Sequence, residues 1–209
     1  RWWQAVQAAG GPVPTYGPPG TVVIGWAGGT RPDSEFEAML IAWGQICQRY
    51  PFTHFVVAGH QFDSVARYIP PHRLTRLTWL PPELYPLSLR GWHIGCAPLP
   101  NRPFNRCKTP IKVMEYGASG MAVVASPTLY GTVIRHGVDG LIATTADEWE
   151  ESLAWLIDHP QRRQWMAKAL RRKVMAEHTL EKNVWKWPAA WERIIDASRQ
   201  QRVRRLLAS

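Results

Sequence analysis

The residues best suited to chemistry lie in one short stretch, Pro103-Phe104-Asn105-Arg106-Cys107-Lys108-Thr109-Pro110-Ile111-Lys112-Val113-Met114-Glu115-Tyr116. Thr109 is a good helix N-cap and Pro110 suits the first helical position. A capping box would then place an acid or amide at residue 112, but Lys112 stands there, with Lys108 and Arg106 just upstream. Cations at the positive end of a helix dipole are each unfavourable by about 0.3–1 kcal/mol. A bound anion would reverse that sign, since helix N–H groups and both ammonium groups would converge on it. The plain alternative is that the lysines extend into water. Glu115 lies among residues suited to burial, where a lone carboxylate is costly unless paired or hydrogen-bonded. Two neighbouring hydroxyls, such as a ribose offers, would satisfy it; so would a pair with Lys112 three residues earlier.

A second candidate is Gly25-Trp26-Ala27-Gly28-Gly29-Thr30-Arg31. Adjacent glycines after a strand let a ligand approach the backbone and present N–H groups to an anion, and Arg31 could add a charge-assisted contact. A simple tight turn is the competing reading. Neither Gly-x-Gly-x-x-Gly nor a Walker loop is present, so the dinucleotide and P-loop classes are not indicated.

These two segments must be held by a scaffold, and the chain supplies an alternating one. Thr21–Trp26 is a β-branched apolar run suited to a buried parallel strand. Phe36, Met39, Leu40, Trp43, Ile46 and Cys47 recur with a period of 3.6, which predicts a helix capped by Asp33 or Ser34. Strands are expected at 54–58, 74–79, 93–98, 121–126 and 141–143. Helices are expected at 111–119 and then at about 147–158, 161–176 and 182–205. This is the pattern of a doubly wound, Rossmann-like α/β domain with a parallel sheet and a helical C-terminal tail, whose ligands sit at the carboxyl ends of the strands. The glycines and prolines of residues 1–20 read as a linker or the remnant of a preceding domain. The nucleotide-binding domain would then span 21–180, and a helix with a basic tail 181–209.

Composition narrows the class. The 209 residues are 45% hydrophobic and 20% charged, a globular profile, and no apolar run approaches the roughly 18 to 20 residues of a membrane span. The first residue is Arg1, which points to a processed chain or a truncated reading frame. Three cysteines without metal-ligand spacing favour free thiols in a reducing cytoplasm; Cys47 reads as helix core and Cys96 as strand core. A net charge of +9 implies attraction to polyanions. Nucleic acid is not expected, because no RNA- or DNA-binding signature accompanies the charge. The arginines of the C-terminal tail read first as a solvated face, with peripheral contact with the anionic inner face of a membrane as the alternative. The 12 tryptophans read first as packing, with stacking on sugars or bases as the alternative.

The stretch Phe104–Ser126, followed by Gly131 and the turn Gly137-Val138-Asp139-Gly140-Leu141, resembles the C-terminal domain of retaining GT-B glycosyltransferases of the large group 1, or family 4-like, class. That family carries a Glu-x7-Glu helix followed by an Ala-x-Gly-x-Pro-Val-Val-Ala-Ser strand. Here Glu115 is followed by Ala118-Ser119-Gly120-Met121-Ala122-Val123-Val124-Ala125-Ser126. The resemblance extends from about residue 21 to 195. It implies that Glu115 meets the donor ribose. Cys107 stands where the first family glutamate, usually at the transferred sugar, would fall. Asn105, Lys108, Thr109 and Lys112 belong to the subgroup pattern Phe-Asn-x-x-Lys-Thr/Ser-x-x-Lys-x-x-Glu-Tyr. Gly28, Gly29, Thr30 and Arg31 match the loop facing the donor diphosphate, and Trp79 and Leu80 a region contacting the base.

On this resemblance the reaction is glycosyl transfer from a nucleotide diphosphate sugar, a substrate rather than a cofactor, to an acceptor hydroxyl. Lys108, Lys112 and Arg31 would stabilise the leaving diphosphate. There is no Asp-x-Asp and no His/Cys cluster, so no metal is implied. The acceptor would come with an N-terminal domain that this chain lacks. The alternatives are a non-catalytic donor-binding fragment or subunit, and a sugar-nucleotide epimerase or phosphorylase of the same fold.

Overall fold

A computed structural model of the chain describes residues 14–30, 32–60, 63–82 and 84–207. The chain divides into two compact units, residues 1–172 and 173–209. In the first, six strands form a parallel sheet: β1 (Val22–Gly28), β2 (Thr53–Gly59), β3 (Leu74–Leu77), β4 (Ile94–Ala97), β5 (Ala122–Ala125) and β6 (Leu141–Ile142). Their order is β3-β2-β1-β4-β5-β6, the doubly wound arrangement in which the chain reverses direction between β1 and β4. The helices between them are α1 (Glu37–Arg49), α2 (Tyr85–Ser88), α3 (Pro103–Arg106) and α4 (Ile111–Ser119), and α5 (Ala146–Asp158) and α6 (Pro160–Glu177) follow the last strand.

The sheet is buried on both faces, as its β-branched strands require: Val23, Val56, Val123 and Ala125 are buried on one, and Ile24, Trp26, Phe55, Val57, Ile94, Cys96 and Val124 form the core on the other. The periodic residues of α1 pack there, with Met39, Trp43 and Ile46 fully buried. Trp43 donates its indole N–H to Cys96 Sγ at 3.4 Å, and burial pushes the Cys96 thiol up to about 12. Cys96 is thus an inert core residue. Trp26, Trp43 and Trp149 belong to the same core, which is the packing role expected of tryptophan.

Glycine positions in two central strands admit aromatic rings flat against the sheet. At Gly25 a Cβ would overlap the Trp92 ring, and at Gly95 it would lie 2.5 Å from Cδ2 of Tyr116. Tyr116 cannot yield easily: it is fully buried, its hydroxyl accepts the Ala27 N–H at 2.9 Å and donates to the Cys96 carbonyl at 3.4 Å.

Several boundaries differ from those expected. Asp33 and Ser34 lie in a separate 3-10 turn, Asp33–Glu35, and α1 starts after Phe36 without a side-chain cap. Pro110, not Thr109, is the N-cap of α4; its ψ of 28° is not helical, and its carbonyl takes the bonds from Val113 and Met114. The first strand runs on through Gly28, whereas β3 ends at Leu77, leaving Trp79 beyond it. A true capping box does occur, at Thr145 and Glu148, where it opens α5.

The second unit carries α7 (Leu180–Asn183) and α8 (Lys186–Leu207), two helices where one was expected. Asn183 donates its amide to the carbonyls of Glu177 and Thr179 and accepts from Lys186 Nζ at 2.6 Å. This fastens the turn that divides them. Residues 1–13 of the expected linker lie outside the described residues. Among the described residues, no helix is long and apolar enough to cross a membrane.

Because Tyr116 is pinned, Gly95→Ala forces an overpacked core. It is expected to cost about 1–3 kcal/mol of stability, read as a lower urea midpoint at unchanged m-value.

Candidate functional site

The carboxyl ends of β1, β2 and β3 and the start of α4 enclose a cavity of about 390 Å³. Most of the residues singled out in the sequence meet there: Gly28 and Gly29 at the end of β1, Trp79 and Leu80 after β3, and Lys108, Thr109, Lys112 and Glu115 at the start of α4 and along it. Ala58, Gly59, Thr78, Tyr85 and Tyr130 are also part of the wall.

The glycine turn is built for close approach. Gly59 has φ +90°, a conformation that disfavours any side chain, and the His60 N–H binds the Gly28 carbonyl at 2.9 Å. At Gly28 a Cβ would stand 2.7 Å from Lys112 Nζ. The register between β1 and β4 covers only Ile24↔Ile94 and Gly25↔Gly95. Beyond it, α4 takes over the β1 backbone: Tyr116 accepts the Ala27 N–H, and Lys112 donates to the Ala27 carbonyl. Lys112 is 8% exposed, with its ammonium 5.0 Å from the centre of the Trp26 ring and 6.0 Å from that of Tyr116. The ammonium is therefore placed at the glycine turn rather than extended into water.

Glu115 also faces the cavity, and its Oε2 accepts a hydrogen bond from the Tyr85 hydroxyl at 3.0 Å. Burial raises its pKa above the ordinary carboxylate value, with the charge of Lys112 and the Tyr85 hydroxyl partly offsetting that rise. Burial, with the Glu115 charge, pushes the Tyr85 phenol far above its usual value, so it remains a donor. Lys108 lines the same cavity; its ammonium donates to Asn105 Oδ1 at 2.5 Å and lies 4.7 Å from the centre of the Phe104 ring.

Other expected members fall elsewhere. Asn105 is buried behind the wall, donating to the Pro100 carbonyl at 3.0 Å and lying 3.4 Å from Glu35 Oε1, so it orients Lys108. Thr30 is exposed and does not line the cavity. Arg31 lies outside the described residues. Cys107 is exposed, with Sγ 3.5 Å from the Pro103 carbonyl. Tyr85 gave no signal in the sequence, since the short helix it opens lies in a proline-rich stretch without periodicity, thirty residues from its partner. Among the described residues, no group of three or more His, Cys, Asp or Glu could hold a metal ion.

A parallel sheet in 3-2-1-4-5-6 order, with a glycine turn and a basic helix start around a cleft at its carboxyl edge, defines a Rossmann-like ligand-binding domain. The comparisons with known proteins specify which. The family described as "Glycosyl transferase-like" matches residues 38–188, and the chain belongs to that family. No curated protein matches in sequence. Among solved structures, the chain is similar to the C-terminal domain of LpcC, a glycosyl transferase group 1 family protein from Francisella tularensis (TM-score 0.66, 17% identity, 86% of this chain and 94% of that one). It is also similar to Anabaena HepE in complex with UDP-glucose (TM-score 0.70, 14% identity, 83% and 49%). A third similar structure is sucrose-phosphate synthase from Thermosynechococcus elongatus (TM-score 0.68, 14% identity, 93% and 49%). The fold is that of a GT-B C-terminal domain, and the chain spans about half the length of the latter two proteins.

The Tyr85 hydroxyl favours the charged form of Glu115, so its removal has a signed effect. In Tyr85→Phe the Glu115 carboxyl is expected to titrate at higher pH than in the wild type, as followed by carbon-detected NMR.

Proposed function

We propose that this chain is the donor-binding half of a retaining GT-B glycosyltransferase, acting on a nucleotide diphosphate sugar. The observation that carries the reading is the convergence of Gly28, Gly29, Lys108, Lys112 and Glu115 on one cavity at the carboxyl edge of the sheet. The diphosphate would lie along the glycine turn, where Lys112 already stands against the Ala27 carbonyl and Lys108 is held by Asn105. The ribose hydroxyls would donate to Glu115, with Tyr85 fixing one of its oxygens. The base would lie toward Trp79 and Leu80; Trp79 is 66% exposed beside the turn, with its ring 3.6 Å from a Cβ built on Gly29.

In the transfer, the bond from the anomeric carbon to the diphosphate breaks and its electron pair leaves with the diphosphate. The acceptor oxygen forms the new bond and gives up its proton. The fixed ammonium groups would stabilise the charge on the departing group in place of a metal ion. With Cys107 where the family's first glutamate falls, no carboxylate from that position would reach the sugar. The acceptor hydroxyl would be brought by a second domain, as the coverage of about half of HepE and of sucrose-phosphate synthase suggests, and these 209 residues by themselves are expected to bind donor without turning it over.

We place the protein in the cytoplasm, in peripheral contact with the anionic face of a membrane. Along α8, Trp187, Trp191, Ile194 and Ile195 are exposed and follow a helical stripe, with Lys186, Arg193 and Arg199 around it. An aromatic stripe flanked by cations suits an anionic interface. The protein is expected to sediment with phosphatidylserine-containing vesicles but not neutral ones, and Trp187→Ala/Trp191→Ala to lose that binding; unchanged sedimentation would remove the membrane from the reading.

The donor site is tested by calorimetry with a panel of nucleotide diphosphate sugars. Lys112→Ala and Glu115→Ala are each expected to weaken binding at least about tenfold, equivalent to about 1.4 kcal/mol, well beyond their effect on thermal stability. EDTA is expected to change nothing. If the ribose needs the charged carboxylate, donor affinity falls as pH falls through the raised Glu115 pKa. Donor affinity equal to wild type in both variants would refute the assignment.

A further inference from the structure

At the other end of the sheet, near the amino ends of β4 and β5, a separate cavity of about 180 Å³ is lined by His93, Arg163, Lys168, Arg171 and Gly120. A neighbouring cavity of about 350 Å³ shares His93 and Arg163 as its wall. Among the described residues, no acidic side chain lines either cavity.

Arg163 is 8% exposed. One of its guanidinium nitrogens donates to the Leu156 carbonyl, in the last turn of α5, at 2.9 Å. Among the described residues it has no carboxylate partner. A guanidinium withdrawn from water without a counter-charge is costly, and its remaining N–H groups form a rigid fork suited to an oxyanion. His93 adds a second donor whose direction is fixed. Its Nδ1 accepts the Val23 N–H at 3.0 Å, so the neutral ring carries its proton on Nε2. Partial burial and the Arg163 charge hold His93 below the usual histidine pKa. Arg171 donates to the Ala118 carbonyl at the end of α4, and Lys168 stands exposed at the rim. The groups facing His93 are thus cationic or neutral, and a negative ligand would relieve their mutual repulsion.

We propose that Arg163, His93, Lys168 and Arg171 form a binding site for a phosphate-class oxyanion, separate from the cleft at the carboxyl ends of the strands. The ligand is either the free ion or the terminal phosphate of a larger molecule; both present the same charge and acceptor oxygens.

The test follows the His93 imidazole of the 209-residue chain by NMR while inorganic phosphate, or glycerol 3-phosphate, is added. Saturable binding is expected to move the His93 titration midpoint up by about one pH unit. Tighter binding of the ester than of the free ion would identify an esterified ligand, and equal or weaker binding the free ion; either supports the site. Arg163→Met is expected to abolish the response. Because that change also uncaps Leu156, Lys168→Gln, at an exposed position, is the second variant, expected to weaken phosphate several-fold with folding intact. If Arg163 and Arg171 serve only to cap their helices, the His93 midpoint will ignore phosphate in the wild type. That result, or an undiminished response in Lys168→Gln, overturns the proposal.

Discussion

The site depends on what happens to Ala27. In a parallel sheet a strand residue directs its N–H and C=O to the same neighbour, and at Ala27 that neighbour is missing, because β4 has stopped pairing after Gly25↔Gly95. Leaving those two groups buried and unpaired would cost about 1–3 kcal/mol each. The helix α4 supplies both partners, the Tyr116 hydroxyl and the Lys112 ammonium. The gap between two diverging strands is therefore closed by side chains of the very helix that presents Glu115 to the cleft.

That arrangement sets the location of several other features. Tyr116 reaches Ala27 only because Gly95 leaves room for its ring, and the matching space at Gly25 admits Trp92. The two rings lie 6.4 Å apart between centroids. Glycine in strand interiors is ordinarily a weakness; here it trades strand propensity for a fixed helix-to-sheet distance. Lys112 in turn holds a positive charge beside the glycine turn even without a ligand, so part of the ordering cost of anion binding is met during folding.

The alternating architecture was legible because buried parallel strands and a period-3.6 helix leave strong local patterns: the run ending in Gly25-Trp26 and the series Phe36 to Cys47 are both found in the core. The basic start of α4 was legible as an electrostatic anomaly, cations where a helix start prefers acids. What local pattern could not convey was tertiary. Asn105 looked like a ligand-facing residue but is buried as the support of Lys108. Tyr85, at the start of a one-turn helix in a proline-rich stretch, pairs with Glu115 through space alone. Thr109 had the chemistry of a cap, yet the ψ of Pro110 moved the helix start one residue on and left the threonine in the cavity wall.

The borders of the sheet are short. β3 has four residues, with Arg76 exposed among them, and β6 has two. Unsatisfied backbone at a sheet margin is the usual template for strand addition and runaway association. With so little of it available, and a charged side chain on one margin, this domain is protected from edge-to-edge polymerisation by geometry. Any stable self-assembly would have to use side-chain surfaces instead.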